Sequence, residues 1–282
     1  MACHNPQPAT RNPQPASNMI ITSTQNPLVK KVLKLQQKAS ARRAEGMFVA
    51  EGRREVSLAL ASGMSVEHLL VCEEIYRADD GYPIDLGGYP GSMVRVSKQV
   101  YNKVAYRQDV EGILLVSRLS SVTLTDIKLS ETPLLLILER MEKPGNLGAV
   151  LRTADAAGVD AVILTDPVTD PFNPNVIRAS LGCVFTIPVV TCQSDEATAW
   201  LSVKQIPVYA AALQTDHLYY TADLRSSAAI AFGAEDSGLS QEWRNAAAQI
   251  IKIPMAGHID SLNVAASVAI IAFEAVRQRQ ER

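Results

Sequence analysis

The stretch that decides the fold lies near the carboxyl end and reads Ile253-Pro254-Met255-Ala256-Gly257-His258-Ile259-Asp260-Ser261-Leu262-Asn263-Val264-Ala265-Ala266-Ser267. An apolar run over 249–253 stops at a proline and a small-residue loop, and an alanine-rich run then continues to about Arg279. This pattern predicts a strand, a loop and a long helix. In open α/β sheets, ligands dock where such loops leave the carboxyl ends of strands. We therefore expect a binding site at this loop.

The polar residues at the start of the predicted helix have two interpretations. Asp260 and Ser261 can cap the helix, and capping alone would explain their presence. They would also face the loop together with Asn263, where a ligand could contact them. The helical spacing predicts a buried apolar face made of Leu262, Ala265, Ala266, Ala269, Ile270 and Phe273.

Two further motifs precede this stretch. The segment from Leu138 to Gly158 contains Pro144-Gly145-Asn146-Leu147-Gly148-Ala149 and then Arg152-Thr153-Ala154-Asp155. The second motif reads Phe232-Gly233-Ala234-Glu235-Asp236-Ser237-Gly238-Leu239. In this order, the three motifs resemble those of the SpoU (TrmH-like) RNA ribose 2'-O-methyltransferases, members of the SPOUT superfamily. Three ordered motifs over roughly half the chain are far more specific than a single glycine-rich loop.

The resemblance implies an enzyme that transfers a methyl group from S-adenosylmethionine to a ribose 2'-oxygen of RNA. It also implies a homodimer, a carboxyl-terminal trefoil knot and no metal ion. An accessory amino-terminal domain accompanies many large-subunit enzymes of the family, so 23S ribosomal RNA is favoured over transfer RNA as the substrate. A protein that binds RNA or assists ribosome assembly without catalysis is a further alternative. A nicotinamide-dependent enzyme is disfavoured because no strand leads into Gly-x-Gly-x-x-Gly.

The resemblance also assigns site residues. The implied catalytic set is Arg152, Asn146, Glu235, Ser261 and Asn263, and the implied cofactor set is Gly233, Ile253, Met255, Leu262, Asn263 and Leu213. A guanidinium is too basic to act as a free base, so Arg152 suits phosphate binding and stabilisation of alkoxide charge. A simple ion pair between Arg152 and Asp155, one helical turn apart, is the structural alternative. Asn146 is expected at a helix N-cap, and Glu235 needs a partner at the end of an apolar strand.

Length and composition fit a globular cytoplasmic protein. The chain of 282 residues is long enough for about two domains, with 47% hydrophobic and 20% charged residues. No apolar run approaches the ~20 residues of a membrane span, and residues 1–17 lack the apolar region of a signal peptide. The four cysteines and four histidines show no metal-ligand spacing, which predicts reduced thiols and no zinc site.

Positive charge is concentrated near the amino terminus, although the net charge of the chain is −2. Residues 18–43 contain six basic residues and no Asp or Glu, and Arg53 and Arg54 follow. Such a run can be only a solvated helix face, but it also suits contacts with RNA phosphates. The predicted RNA-binding set is Lys30, Lys31, Lys34, Arg42, Arg43, Arg53 and, from a further family-like segment, Arg178.

The pattern and the family resemblance together predict four regions along the chain. Residues 1–17, which repeat Asn-Pro-Gln-Pro-Ala, are expected to be disordered. Residues 18–117 are expected to form a small α/β RNA-binding domain, and residues 118–132 a linker. Residues 133–282 are expected to form a methyltransferase domain with a parallel sheet covered on both faces. General rules would make this domain unknotted, so the knot depends on the resemblance alone.

The expected elements follow hydrophobic periodicity and turn signals. In the first half, helices are expected from Asn26, over 53–62 and over 98–104, and strands over 68–72, 93–96 and 112–117. In the second half, strands are expected over 134–138, 161–165, 184–190, 208–212, 228–232 and 250–253, with helices beginning near Asn146, Asn175, Ser194, Leu239 and Asn263. Small apolar residues on the last helix predict the homodimer surface, namely Val264, Ala265, Val268, Ala269 and Ala272.

Overall fold

The computed structural model describes residues 20–78, 81–89, 92–107, 109–120 and 122–280. The predicted disordered tail, residues 1–17, lies outside these residues. Two sheets organise the described chain, a four-stranded sheet and a six-stranded sheet. We refer to residues 20–118 as the N-terminal unit and residues 134–280 as the C-terminal unit. Among the described residues, no helix has both the length and the apolar character needed to cross a membrane.

The N-terminal unit surrounds a mixed sheet with strand order β1-β4-β2-β3. Its elements are α1 (Pro27–Gln37), α2 (Ala39–Glu45), β1 (Met47–Glu51), α3 (Arg53–Ala61), β2 (Val66–Val71), β3 (Met93–Arg95), α4 (Lys98–Val104) and β4 (Ile113–Arg118). The side chain of Asn26 caps α1 by accepting from the backbone N–H of Leu28 at 2.9 Å. Val29, Val32 and Leu35 then pack their side chains into the core of this unit.

The C-terminal unit is built on a parallel sheet with strand order β10-β8-β9-β5-β6-β7. The strands are β5 (Leu134–Glu139), β6 (Ala161–Thr165), β7 (Val189–Cys192), β8 (Val208–Ala211), β9 (Ala228–Phe232) and β10 (Gln249–Ile251). The helices are α5 (Pro144–Ala157), α6 (Pro174–Ala179), α7 (Ser194–Val203), α8 (Gln241–Ala246) and α9 (Val264–Gln280). Short 3-10 turns occur at Leu86–Gly88, Leu124–Asp126, Cys183–Phe185 and Tyr219–Thr221.

The central strands of this sheet are covered on both faces. Every residue of β5, β6 and β9 is buried, as expected for parallel strands between two helical layers. The chain leaves β5 toward β6 on one side, and later returns to place β9 on the other side. The strand order therefore reverses between β5 and β9, and in such sheets ligands bind at the carboxyl ends of strands near the reversal. The predicted α/β class with a parallel sheet is confirmed.

One predicted strand is largely wrong. Residues 184–190 were expected to be extended, but Cys183–Phe185 forms a 3-10 turn and β7 begins only at Val189. Gly182, with a φ of +83°, reverses the chain just before this turn, in a conformation that favours glycine. Helix α2 and strand β1 were not predicted, and both are present in the N-terminal unit.

The last helix packs on a different face from the predicted one. The buried residues of α9 are Val264, Val268, Ile271, Ala272, Ala275 and Gln278, and the helix lies against α5 and β9. Branched side chains fill the core better than alanine, so the alanine-rich face is left outward and Phe273 is 46% exposed. The helix starts at Val264, after Asp260 and Ser261, which therefore do not cap it. The side chain of Asn263 accepts from the N–H of Ala265 at 2.9 Å instead.

The two units share a packed interface. The buried side chain of Arg42 forms a salt bridge with Asp170 of the C-terminal unit, with Nε and Oδ2 2.6 Å apart. Phe48 of β1 packs against Phe172 and Phe185, with ring centroids 4.8 and 5.6 Å away. Aromatic pairs of this kind contribute about 0.5–1.5 kcal/mol beyond their buried area. One hydrophobic core therefore extends through both units.

Candidate active site

A cavity of about 510 Å³ opens at the carboxyl ends of β8, β9 and β10. Four loop segments line it, at 211–214, 232–239, 251–255 and 261–264. The structure brings all six residues of the predicted cofactor set to its wall, namely Gly233, Ile253, Met255, Leu262, Asn263 and Leu213. Its volume lies within the range of about 300–1,000 Å³ that small-molecule sites occupy. Apolar residues such as Ile253 and Leu262 line it together with many polar ones, a mixture that fits an adenosyl ligand with its polar groups.

The loop after β9 requires glycine at its first position. A Cβ added to Gly233 would lie 2.1 Å from the carbonyl carbon of Gly238 and 2.1 Å from the nitrogen of Leu239. The loop closes on itself through a hydrogen bond from the N–H of Gly238 to the oxygen of Ala234, 2.9 Å long. Because the atoms nearest to Gly233 belong to the backbone, no side chain could move aside to make room for a Cβ at this position.

A polar cluster connects this loop to α5 and to the segment before α9. Glu235 forms a salt bridge with Lys143 and accepts a hydrogen bond from Nδ2 of Asn146. Nδ2 of Asn263 in turn donates to Oδ1 of Asn146 at 3.2 Å. The hydrogen bond and the charge of Glu235 raise the pKa of Lys143. These contacts supply the partners that a carboxylate at this strand end requires.

Lys143 and the helical position of Asn146 differ from the sequence expectations. Lys143 was not predicted as a site residue, although it directly precedes the Pro-Gly-Asn motif, and that adjacency was the available signal. Asn146 was expected at the N-cap of α5, but Lys143 occupies the cap and Pro144 the first turn. Proline is favoured at that position. The backbone N–H of any residue there would have no partner within the helix, so proline loses no hydrogen bond by lacking this group. The Asn146 side chain is therefore free to join Glu235 to Asn263.

Arg152 lies outside the cofactor cavity, in an adjacent open cleft of about 460 Å³. We call this the arginine cleft, and it is lined by Pro144, Gly145, Arg152, Asn175, Arg178, Ala179 and Leu181. Within the described residues Arg152 makes no salt bridge, and Asp155 instead accepts from Oγ1 of Thr186 at 2.5 Å. The alternative pairing of Arg152 with Asp155 is therefore not formed. Helix α5 carries both Asn146 and Arg152, so it connects the cavity to the cleft.

Other groups at the cavity were missed or are only partly explained. Arg244 links two wall segments, because Nε donates to the oxygen of Leu239 at 3.0 Å and Nη1 to Oε1 of Gln214 at 2.8 Å. The buried carboxylate of Glu139, at the end of β5, accepts from the N–H of Ser240 at 2.8 Å. Ser261 lines the cavity and is exposed, as predicted for a residue that would face a ligand.

The predicted basic surface is smaller than the sequence indicated. Arg42 is only 2% exposed and bonds to Asp170 and to the oxygen of Leu35, so the prediction that it contacts RNA is wrong. Lys31 and Lys34 both lie within 3.5 Å of Glu45, just beyond the acid-free stretch. Arg53 pairs with Glu111. Lys30, Arg43 and Arg178 remain exposed.

Metal ligation finds no support in the part of the chain that the structure describes. No group of three or more His, Cys, Asp or Glu side chains there is placed to hold a metal ion. Cys72 and Cys183 are buried, and burial is the main cause of the raised pKa of the Cys183 thiol.

A parallel sheet with a ligand-sized cavity at its strand ends and an adjoining cleft that carries two arginines is an α/β architecture suited to bind a small ligand beside an anionic one. The family follows from comparison with known proteins. Residues 133–273 match the SpoU rRNA Methylase family, and residues 26–115 match the MRM3-like substrate binding domain. The chain belongs to the SpoU rRNA methylase family. The predicted family and enzyme class are confirmed.

Individual relatives cover nearly the whole chain. An uncharacterized tRNA/rRNA methyltransferase of Synechocystis is 31% identical over 92% of this chain and 94% of its own length. The 23S rRNA (guanosine(2553)-2'-O)-methyltransferase RlmP of Bacillus subtilis is 30% identical over 90% of this chain and 97% of its own. An AdoMet-bound rRNA methyltransferase from Sinorhizobium meliloti superposes with a TM-score of 0.83, at 31% identity, covering 92% and 97% of the two chains. The cofactor prediction agrees with this last structure.

Proposed function

We propose that this protein methylates a ribose 2'-oxygen in 23S ribosomal RNA, with S-adenosylmethionine as the methyl donor. The observation that carries the proposal is the hydrogen-bonded cluster Glu235–Asn146–Asn263, which joins the cofactor cavity to the helix that bears Arg152. Both parts of a methyl transfer, a donor site and a site for an anionic acceptor, meet at that helix. Relatives that span almost the whole chain carry names of RNA methyltransferases.

Cofactor binding is assigned to the cavity wall. The backbone around Gly233 permits close approach of an adenosyl group, and Ile253 and Leu262 supply apolar contacts. Ser261 and Asn263 place polar groups at the same wall. When bound, S-adenosylmethionine supplies a methyl group on a positively charged sulfur. The chain's own contribution is to hold the acceptor oxygen in line with that methyl group, since positioning can supply much of the rate enhancement.

The acceptor is assigned to the arginine cleft. Arg152 is exposed there and has no carboxylate partner among the described residues, so its guanidinium is available to an RNA phosphate. The positive charge of a guanidinium can stabilise negative charge that develops on the ribose oxygen. The cluster of Lys143, Glu235 and Asn146 borders the same region and fixes the start of α5.

Two other functions are distinguishable from this one. A transfer RNA methyltransferase would use the same chemistry on a different acceptor. A protein that binds RNA without catalysis would retain the arginine cleft but need not bind the cofactor. The chain's match to a substrate-binding domain model over 26–115, together with the RlmP relationship, favours 23S RNA.

The test is methyl transfer from radiolabelled S-adenosylmethionine to 23S RNA and to a transfer RNA pool, both transcribed without modification. We expect label in the 23S transcript, at a linkage that resists alkaline cleavage because the 2'-oxygen is blocked. Label only in transfer RNA would identify transfer RNA as the substrate in place of 23S RNA. If calorimetry shows no cofactor binding and neither RNA acquires label, the proposal that the protein is an enzyme is overturned.

We also propose a homodimer that forms through the outward face of α9. The structure revises the predicted surface, because Val264, Val268 and Ala272 are buried within their own chain. The face left available consists of Ala266, Ala269, Ile270 and Phe273. An exposed phenylalanine beside small residues suits close packing of a second copy. Light scattering should give about twice 30.5 kDa, and Phe273→Glu should shift the protein to the monomer. An active wild-type monomer would contradict this proposal.

Three remaining expectations are kept as proposals. The boundaries at 118–132 divide the chain between its two sheets, in a segment whose described residues include the last residue of β4 and the 3-10 turn Leu124–Asp126. The trefoil knot rests on family membership. A cytoplasmic location follows from the proposed ribosomal RNA substrate.

A further inference from the structure

Arg54, at the start of α3, has no anionic partner among the residues that the structure describes. Its Nε is buried and has no hydrogen-bond partner, and within the described chain its guanidinium forms no salt bridge. The adjacent carboxylate, Glu55, pairs with Arg107 instead. The guanidinium of Arg54 lies over the ring of Tyr82, 5.3 Å from its centroid. Such a stack holds the planar group in place while its outer N–H donors stay available.

Helix α3 places Arg54 next to the arginine cleft of the C-terminal unit. A Cβ on Gly182 would lie 2.8 Å from Cδ1 of Leu58 and 3.3 Å from Cα of Glu55, so α3 packs directly on the turn after α6. Leu181, the neighbour of Gly182, lines the arginine cleft. The N-terminal unit therefore reaches the edge of that cleft through this helix.

Electrostatics at Cys183 support this placement. Burial and the charge of Asp155 raise the pKa of its thiol, whereas the guanidinium groups of Arg54 and Arg152 both act to lower it. Both arginines must lie near the same residue to have this effect, although they come from different units. Arg178 lines the cleft between α6 and α5 and is also without a salt bridge among the described residues.

We propose that Arg54 binds a backbone phosphate of the RNA substrate, and that Arg54, Arg152 and Arg178 together form one phosphate-binding surface across the two units. Arg152 and Arg178 line the cleft and Arg54 lies near its edge, so these guanidinium groups repel one another until an anion neutralises them, and phosphate suits their forked donors. The N-terminal unit thereby contributes to the reaction site itself, beside the target ribose. The inference rests on the proposed function, because it takes RNA as the anionic ligand.

The experiment compares Arg54→Gln with Arg118→Gln in binding to an unmodified 23S RNA transcript over a series of salt concentrations. Arg118 is a matched control from the same unit, and it pairs with Glu67. Strand β1 pairs Met47 with Arg118 and Glu51 with Leu114, so Arg118 lies at the end of the sheet remote from α3. Arg54→Gln should weaken binding roughly tenfold, as expected for one charge-assisted hydrogen bond.

The salt dependence separates a phosphate contact from a structural effect. Arg54→Gln should reduce the slope of log affinity against log salt by about 0.7–0.9, the contribution of one phosphate contact. Arg118→Gln should leave the slope unchanged. Arg54→Lys should be intermediate, because it keeps the charge and loses the planar stack on Tyr82. The midpoint of thermal unfolding should stay the same in all variants. If Arg54→Gln fails to fold, the binding of Arg54→Lys is compared with that of Arg118→Gln instead, and the intermediate loss of affinity is the expected result.

The possible outcomes distinguish this inference from the proposed function. A wild-type enzyme that methylates 23S RNA, with Arg54→Gln indistinguishable from Arg118→Gln in affinity and slope, would overturn the inference alone. Arg54-dependent binding without methyl transfer would support the inference and overturn the proposed activity. No measurable binding of the transcript by the wild-type protein would overturn both.

Discussion

Arginine side chains have opposite roles at the interface between the two units and in the arginine cleft. At the interface, Arg42 is buried and bonds to Asp170, to the oxygen of Leu35 and to the oxygen of Gln36. In the cleft, Arg152 and Arg178 have no carboxylate among the described residues. An arginine that a nearby carboxylate neutralises contributes to structure, whereas an unpaired one remains available for an anionic ligand. The comparison predicts that substitutions in the two regions will affect different properties.

Breaking the interface pair should produce the largest effect, and on stability. In Asp170→Asn, Arg42 remains buried without its counter-ion, while Asn keeps an acceptor for the N–H of Phe172. Removing one partner of a buried pair costs about 3–5 kcal/mol. Asp223→Asn breaks an exposed pair with Arg225 and should change the free energy of unfolding by less than about 1 kcal/mol. Denaturant unfolding would measure both, and equal effects would contradict the contrast.

The cleft should show the reverse pattern. Arg152→Ala should lower kcat by about 10²–10³-fold, the typical cost of losing one donor to transition-state charge. Stability and binding of S-adenosylmethionine should stay close to wild type, because Arg152 is exposed and lies outside the cavity. Arg152→Lys should recover little activity, since a single ammonium cannot replace the planar fork. Steady-state kinetics and calorimetry test this, and a lowered unfolding midpoint with normal kcat would reverse the assignment.

A third substitution separates the cleft from the cavity beside it. Gly233→Ala should weaken cofactor binding by about 5- to 150-fold, because overpacking costs about 1–3 kcal/mol and the added Cβ meets backbone. Gly257→Ala is the matched control, since a Cβ there has no neighbour within 4 Å. Calorimetric titration with S-adenosylmethionine should distinguish the two variants. Equal affinities would show that the loop after β9 is not part of the cofactor site.

The smallest expected effect is on the titration of Lys143, which pairs with Glu235 close to the unpaired arginines of the cleft. Glu235 raises its pKa in the folded protein, so this pairing stabilises the fold fully below the ordinary lysine pKa of about 10.4. The contribution is lost as pH rises through the raised value. Glu235→Gln should therefore lower the pKa of Lys143, which NMR of labelled lysine would follow. An unchanged titration would mean that the pair does not persist in solution.

Local sequence signals predicted a large part of the fold. Strands β6 and β9 and helix α4 have their predicted bounds, since turn residues flank compact apolar runs. Strand β1 was missed because all five of its residues are buried, and its pattern lacks the alternation of a half-exposed strand. The cap of α5 was misplaced because Pro144, an effective first residue, starts the helix before Asn146.

The site was predictable where motifs carry it and unpredictable where distant contacts decide it. Residues of the second and third motifs line the cavity, and Asn146 of the first motif is hydrogen-bonded to Glu235 and Asn263 at its wall. The role of Arg42 depends on Asp170, which lies 128 positions further along the chain, and no local pattern shows such a pairing. The alanine-rich face of α9 was similarly ambiguous, because spacing identifies an apolar face but not its partner.

The most direct test of the central claim is a map of ribose methylation in 23S RNA from cells with and without the gene. The account predicts that a 2'-O-methylated nucleotide disappears when the gene is deleted. Wild-type protein should restore this methylation, and the Arg152→Ala variant at equal abundance should not. An identical 2'-O-methylation pattern in the presence and absence of the gene would contradict the claim that this protein methylates 23S ribosomal RNA.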